Sequence, residues 1–268
     1  MHVLLIGLGN MGTKYLNKLR ELSHLPVICD IDPQKASVCQ ECPFYCHVGD
    51  IKEEISRVII AVKPEDHVKL AREFLSKGIP VLLEKPPALS SEEFREISEN
   101  PLLEISEIEL YSEGIKNFPT NVKPKEILIE RLNKGRGYIN PLWDLAWHDL
   151  YLLQYLFKEV KVEDFSKNGV IWELRGKVKN EIPFRLRVAW SYPEEQVRRW
   201  RIKTEEGDLI IDFQRETLEY GSFKRERIFG DKLREMVSDF LEGIRRKGSR
   251  ERALKNLQIL ESISYDLR

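Results

Sequence analysis

The sequence predicts an α/β protein in two parts: an N-terminal doubly wound parallel sheet, then a C-terminal α+β domain on an open, mostly antiparallel sheet. Three observations predict it. Apolar strand-like runs alternate with helix-like runs from "HVLLIGLGNMG" onward, and past residue 112 that alternation gives way to strand-like runs with little helix between them. A chain of 268 residues is also too long for one small core and suits two domains of ordinary size, here 1–112 and 113–268.

Residues 2–6 form a short apolar run ending at a glycine, and Met11, Tyr15, Leu19 and Leu22 then repeat at helical spacing. "LPVICD" reads as the second strand, "DPQKASVCQ" as a turn with a short helix, and "RVIIAV" at 57–62 as the third strand. "EDHVKLAREFLSKG" is a helix closed by Lys77 and Gly78, "IPVLLEK" the following strand, and "SSEEFREISE" a helix with a serine cap and an acidic first turn. Strands and helices in this rhythm imply right-handed crossovers. In the second part a helix is expected at 142–157, followed by strands at 182–190, 198–213 and 217–223. "EEGD" at 205–208 is a hairpin signal, and two helices near 231–247 and 250–266 close the chain. Phe184, Leu186, Val188 and Trp190 alternate with Arg185, Arg187 and Ala189, the period of a sheet with one covered face.

Hydrophobic residues make up 42%, charged residues 32%, and the formal net charge is -1. That balance argues against nucleic-acid or membrane partners, which need a basic footprint or long apolar runs. The start enters a strand with no charged leader, so a cytoplasmic protein is expected. Cys29, Cys39, Cys42 and Cys46 all fall early in the chain, where no disulfide framework can join two domains, so reduced thiols are the expectation. Cys39, Cys42, Cys46 and His47 have zinc-compatible side chains. A structural zinc site, however, uses two well-separated ligand pairs, so no metal is expected.

Gly7-Leu8-Gly9-Asn10-Met11-Gly12 fits G-x-G-x-x-G between a first strand and a helix. Gly7 serves the turn, Gly9 the close approach of a pyrophosphate, Gly12 the packing of helix on strand, and the amides from Asn10 and Met11 onward bind phosphate oxygens. Asp30 closes the second strand 18 residues after Gly12. That is near the roughly 20 expected for the carboxylate that bonds the ribose hydroxyls of NAD, and a carboxylate there repels a 2'-phosphate. NAD is therefore favoured over NADP, although Asp32 and Lys35 lie close by and Asp32 also reads as a cap before Pro33.

The other informative stretch is "WDLAWHDLYLLQYL" at 143–156, a helix apolar on nearly every face that nevertheless carries Asp144, His148 and Asp149. Oxidising a secondary alcohol needs a base for the hydroxyl proton while hydride leaves carbon, and histidine has the right ordinary pKa. His148 is the candidate base. Lys85, ending a parallel strand where open α/β sheets bind ligands, is the candidate partner of the reacting oxygen. Asp144 lies one helical turn before His148, to orient the imidazole or hold a substrate hydroxyl, while Asp149 points about 100° away and anchors the helix.

"GLGNMG", "VIIAVKPEDHVKLAREFLSKGIPVLLEKP" and "DLAWHDLYLL" resemble, in order and spacing, the glucose-fructose oxidoreductase/inositol dehydrogenase family of NAD(P)-dependent sugar oxidoreductases. The resemblance implies a Rossmann domain followed by an open-sheet domain whose outer face buries itself in homodimers or homotetramers. It puts Lys85, Asp144 and His148 at the family's catalytic positions, and His67 and Glu84 on the cofactor side. It implies a hydride transfer between a sugar or sugar derivative and nicotinamide. The rivals are a dinucleotide-binding sensor or scaffold without chemistry, and an enzyme holding NAD tightly with no net redox change. The chain departs from the family's pattern in two places. "NPLWD" puts Pro141 and Trp143 where relatives have glycines, and the segment after Glu-Lys-Pro is short. That version looks most like members acting on nucleotide-linked or amino sugars. Arg136, Tyr138 and Asn140 before the helix read equally as a sugar-pocket lining or an exposed loop.

Overall fold

The computed structural model describes residues 2–137, 139–228 and 230–265. The chain divides into two units, Met1–Ser106 with Asp231–Leu257, and Glu107–Gly230 with Gln258–Arg268. No helix among the described residues is long and apolar enough to cross a membrane.

The first unit runs β1 (His2–Ile6), α1 (Asn10–Glu21), β2 (Val27–Cys29), β3 (Phe44–Tyr45), β4 (Ile55–Ile60), α2 (His67–Leu75), β5 (Val81–Leu83), α3 (Ser91–Ser98) and β6 (Leu103–Ile105). Its six strands pair in the order β3-β2-β1-β4-β5-β6, every pairing parallel. Leu4, Leu5, Ile59, Ile60, Leu82 and Leu83 are fully buried, as expected where helices cover both faces. The order reverses between β1 and β4, and ligands of open α/β sheets bind at the carboxyl ends of strands beside such a reversal. Local chemistry sets the element ends as the sequence predicts. Ser90 Oγ accepts from the Glu93 amide at 3.1 Å, and Asp32 caps a short 3-10 turn over Pro33–Val38, accepting from the Gln34 amide at 3.0 Å.

The second unit runs α4 (Glu113–Lys116), β7 (Glu126–Leu132), a π-helical turn (Leu142–Ala146), α5 (Trp147–Phe157) and then β8 (Val160–Asn168), β9 (Ile171–Val178) and β10 (Ile182–Ala189). It continues through β11 (Val197–Thr204), β12 (Gly207–Asp212), β13 (Thr217–Tyr220) and β14 (Phe223–Glu226). The sheet order is β14-β13-β12-β11-β7-β10-β9-β8, antiparallel except where β10 lies parallel to β7. β7 sits in the middle although no strand is expected there from the sequence, because its place depends on strands contributed far downstream. Nor is β8 expected; it is an edge strand, mostly exposed, so its alternation is weak. One face buries Ile129, Leu186, Trp200 and Ile202. The opposite face carries charges of mixed sign, with Lys203 paired to Glu126 at 2.7 Å and Arg187 to Glu130 at 2.9 Å.

The chain then returns to the first unit through α6 (Lys232–Glu242) and the start of α7 (Ser249–Tyr265). From the sequence both helices are expected in the second domain, 113–268. Instead the apolar face of α6, Leu233, Met236, Val237 and Phe240, is buried against the first unit. Asp231 bonds Lys18 of α1 at 2.8 Å, and the Arg57 guanidinium lies over the Phe240 ring. α6 also stops earlier than 247, because Gly243 takes a left-handed conformation (φ 77°) that ends the helix. A third correction concerns the thiols. Cys39 and Cys42 form a disulfide, while Cys29 and Cys46 are free. With two of their sulfurs bonded to each other, Cys39, Cys42 and Cys46 do not form a thiolate zinc set.

Candidate active site

In the first unit the glycine turn is built by steric need. Gly7 has φ 92°, and a Cβ there would meet the Ala61 carbonyl oxygen at 2.6 Å; a Cβ on Gly12 would stand 1.8 Å from the Gly7 oxygen. At Gly9, by contrast, a Cβ would meet nothing within 4 Å, so the approach to the helix start is open. α1 begins after Gly9 with Asn10 and Met11, and its first backbone bond is the Thr13 amide to the Gly9 oxygen at 2.9 Å. The amides ahead of that bond make an anion-binding helix start. Asp30 is fixed beside the turn, accepting from the Leu8 amide at 2.6 Å and the Asp32 amide at 2.9 Å. Each of its oxygens keeps a further lone pair for a ribose hydroxyl. These residues fit a dinucleotide.

The end of β5 carries Glu84, Lys85 and a cis Lys85-Pro86 bond. Glu84 is buried, accepting from Tyr15 Oη at 2.5 Å and from the Lys85 amide at 3.1 Å. Burial, and then Glu84 itself, push the Tyr15 phenol well above its ordinary pKa, so it remains a donor. His67 is also buried, with Nδ1 2.8 Å from the Pro86 oxygen and Nε2 3.1 Å from the Val62 oxygen. Burial lowers its pKa, and the flanking carbonyls and Glu84 oppose that only in part. Glu84 and His67 therefore spend their polar atoms on holding the turns after β4 and β5, whereas Lys85 is half-buried.

In the second unit Asn140 begins the π turn, its Oδ1 accepting from the Leu142 amide at 3.0 Å and the Trp143 amide at 3.2 Å. This gives Asn140 a capping role; Arg136 is exposed, and Tyr138 lies outside the described residues. Asp144 is buried within the π turn and His148 half-buried in the first turn of α5. The sequence pattern predicts one α-helix over 142–157. Single π turns inside helices are wider and recur at functional sites.

Asp149 anchors the helix as expected, but through partners no spacing rule names. Arg131 of β7 donates to it from Nε at 2.8 Å and Nη2 at 3.2 Å, and Trp200 Nε1 donates at 2.7 Å. Arg131 Nη1 also reaches Glu109 Oε1 at 3.0 Å. Burial works against the Arg131 charge, yet the two carboxylates outweigh it and hold the guanidinium above its ordinary pKa. Tyr151, which the sequence reading counted only in the apolar run, accepts from the Glu109 amide at 2.9 Å and stands 3.4 Å from His148 Nδ1. A tyrosine three residues after a helical histidine was the available signal. Tyr15 escaped notice for the same reason, as a helix-core position with a polar tip.

Residues 1–100 match the model of the GFO/IDH/MocA oxidoreductase family, described as an NAD-binding Rossmann fold. The rhizopine catabolism protein MocA of Rhizobium meliloti is 30% identical over 101 residues, 35% of this chain and 32% of that protein, so the matched stretch spans about a third of this relative. Among solved structures, UDP-N-acetylglucosamine 3-dehydrogenase GnnA from Acidithiobacillus ferrooxidans superposes with a TM-score of 0.82 at 23% identity, covering 97% of this chain and 96% of that one. The WlbA dehydrogenase from Bordetella pertussis, solved with NADH and UDP-GlcNAcA, superposes with a TM-score of 0.76 at 16% identity, covering 97% and 94%. Glycine turn, parallel sheet and second open sheet thus converge: residues 1–100 match the GFO/IDH/MocA oxidoreductase family model, and over its length the chain shares the two-domain fold of these solved structures.

Proposed function

We propose that the protein is an NAD-dependent oxidoreductase that transfers hydride between a secondary alcohol of a sugar derivative, nucleotide-linked by preference, and nicotinamide. The observation that carries this reading is a glycine turn with an open approach at Gly9 and a fixed Asp30, in a chain that also keeps Lys85, Asp144 and His148. None of that trio is needed to fill an apolar core. Bound nicotinamide supplies the hydride acceptor or donor. Asp30, Gly9 and the amides from Asn10 onward hold the dinucleotide, and the carboxylate of Asp30 supports NAD over NADP by repelling a 2'-phosphate. Lys85 hydrogen-bonds the reacting oxygen, His148 engages the same oxygen, and Asp144 holds a neighbouring hydroxyl or the imidazole. His67 and Glu84 serve the cofactor indirectly, by fixing the turns after β4 and β5. The likeness to a UDP-N-acetylglucosamine 3-dehydrogenase and to WlbA supports a nucleotide-sugar substrate. We further propose a cytoplasmic homodimer or homotetramer through the outer face of the open sheet, where cations and carboxylates alternate in a pattern a second copy can match.

Titrating the purified protein with NADH and NADPH, following nicotinamide fluorescence excited through tryptophan, tests the cofactor. A screen of UDP-sugars then tests the substrate. Tighter binding of NADH than NADPH is expected, and binding of neither overturns the reading. Lys85→Ala is expected to lower turnover by about 100-fold or more while leaving dinucleotide affinity near normal; equal loss of both overturns the role of Lys85.

A further inference from the structure

Tyr151 is fully buried, and its hydroxyl oxygen already accepts the Glu109 amide at 2.9 Å. The remaining question is where its one proton goes. Among the described residues the acceptor within hydrogen-bond distance is His148 Nδ1 at 3.4 Å, and the two rings meet edge to face with centroids 5.8 Å apart. Were Nδ1 to carry the proton and donate to Tyr151, the buried phenol proton would be left without an acceptor, which is costly. We propose that Tyr151 is a positioning residue that donates to His148 Nδ1 and holds the neutral ring with its proton on Nε2.

Burial, then the Glu109 and Glu107 carboxylates, push the Tyr151 pKa well above its ordinary value, so the phenol keeps the proton it gives. The charged groups acting on Tyr151 are Glu109, Glu107 and Arg131 of β7, and Arg198 of β11 interacts in turn with Arg131, Glu109, Asp149 of α5 and Asp144 of the π turn. The inference rests on the reading that His148 meets the reacting oxygen, and it changes what His148 does there. A neutral ring with Nε2–H presents a donor, not a lone pair. In the direction in which hydride arrives at a carbonyl, it stabilises the negative charge that develops on the substrate oxygen as an uncharged donor.

The test reads the imidazole nitrogens of the full-length, substrate-free protein by 15N NMR, with His148 assigned through His148→Gln. The expected wild-type result is the Nε2–H tautomer with the Nδ1 resonance displaced as for a hydrogen-bonded acceptor. In Tyr151→Phe, the Nδ1 resonance should move away from that hydrogen-bonded position. The titration midpoint of His148 should rise by about half a unit to one unit, because donation to the neutral ring opposes its protonation. An Nδ1–H tautomer in the wild type, or an unchanged Nδ1 resonance and midpoint in Tyr151→Phe, overturns the proposal. Should Tyr151→Phe not fold, the wild-type spectrum alone decides. No turnover enters this measurement, so a failed sugar screen beside the expected spectrum would count against the proposed function and not against the role of Tyr151.

Discussion

Tyr15 Oη lies 2.5 Å from Glu84 Oε1, so the helix that follows the glycine turn is bonded directly to the strand end that carries Lys85. Ser106 Oγ stands 3.2 Å from the same phenol oxygen. Tyr15→Phe removes the donor and leaves a buried carboxylate oxygen short of a partner, at a cost of about 1–3 kcal/mol. Thermal unfolding should show a fall of several degrees, and an unchanged melting temperature would mean that water replaces the phenol.

Two glycines of the turn, Gly12 and Gly9, should fail in different ways. Gly12→Ala forces a Cβ against the Gly7 carbonyl and is expected to destabilise the fold. Gly9→Ala meets open space at an ordinary φ of -71° and should fold with stability within about 0.5 kcal/mol of the wild type. It should nevertheless weaken NADH binding by filling the approach to the helix start. Unfolding curves and NADH titrations of the two variants separate the effects.

Arg131 is the cation for two buried carboxylates, Asp149 and Glu109. Arg131→Met takes its charge away from both and is expected to cost about 3–5 kcal/mol. Asp149→Asn keeps an acceptor for Trp200 Nε1 and should cost less. Urea unfolding followed by tryptophan fluorescence gives the order, and a smaller loss for Arg131→Met than for Asp149→Asn would contradict the charge argument.

His67 titrates below its ordinary value of 6.5, chiefly because it is buried. As pH falls through 6.5 the unfolded chain therefore takes up a proton before the folded one does, and stability falls across that window. The wild type should lose more melting temperature between pH 7.5 and 5.5 than His67→Gln, whose amide can still donate to the Val62 or Pro86 oxygen. Equal losses would assign the acid sensitivity to other groups.

The two free thiols should differ in reactivity. Burial, with help from Asp30, pushes the Cys29 thiol up to about 11, whereas Cys46 is half-buried. Alkylation near pH 8 followed by mass spectrometry should label Cys46 first and leave Cys29 slow. Cys39 and Cys42 should label only after reduction. Labelling of all four without reductant would remove the disulfide.

The parts legible in the sequence were those in which neighbours along the chain decide the outcome. The turn Gly7–Gly12 announces itself because steric demands at Gly7 and Gly12 are met within a few residues and by the adjacent strand. Ser90 and Asp32 act as caps for equally local reasons. Asp144, His148 and Asp149 stood out because charge in an apolar helix calls for a partner. The helix itself was less legible: the π turn at Leu142–Ala146 leaves no mark in a run apolar on almost every face.

Sequence alone thus determined β1, α1, β2, β4, α2, β5 and α3 of the first unit, though not β3 or β6, together with the glycine turn and which side chains needed an explanation. Only the tertiary structure decided their partners. Asp149 finds Arg131 and Trp200 on two different strands, Glu84 finds Tyr15, and α6 leaves the expected second domain to pack in the first unit. Periodicity tells which face of an element is buried, but the residue opposite is chosen by strand register and helix packing among segments far apart in the chain. For the same reason Tyr151 reads as core in the sequence and as a partner of His148 in the fold.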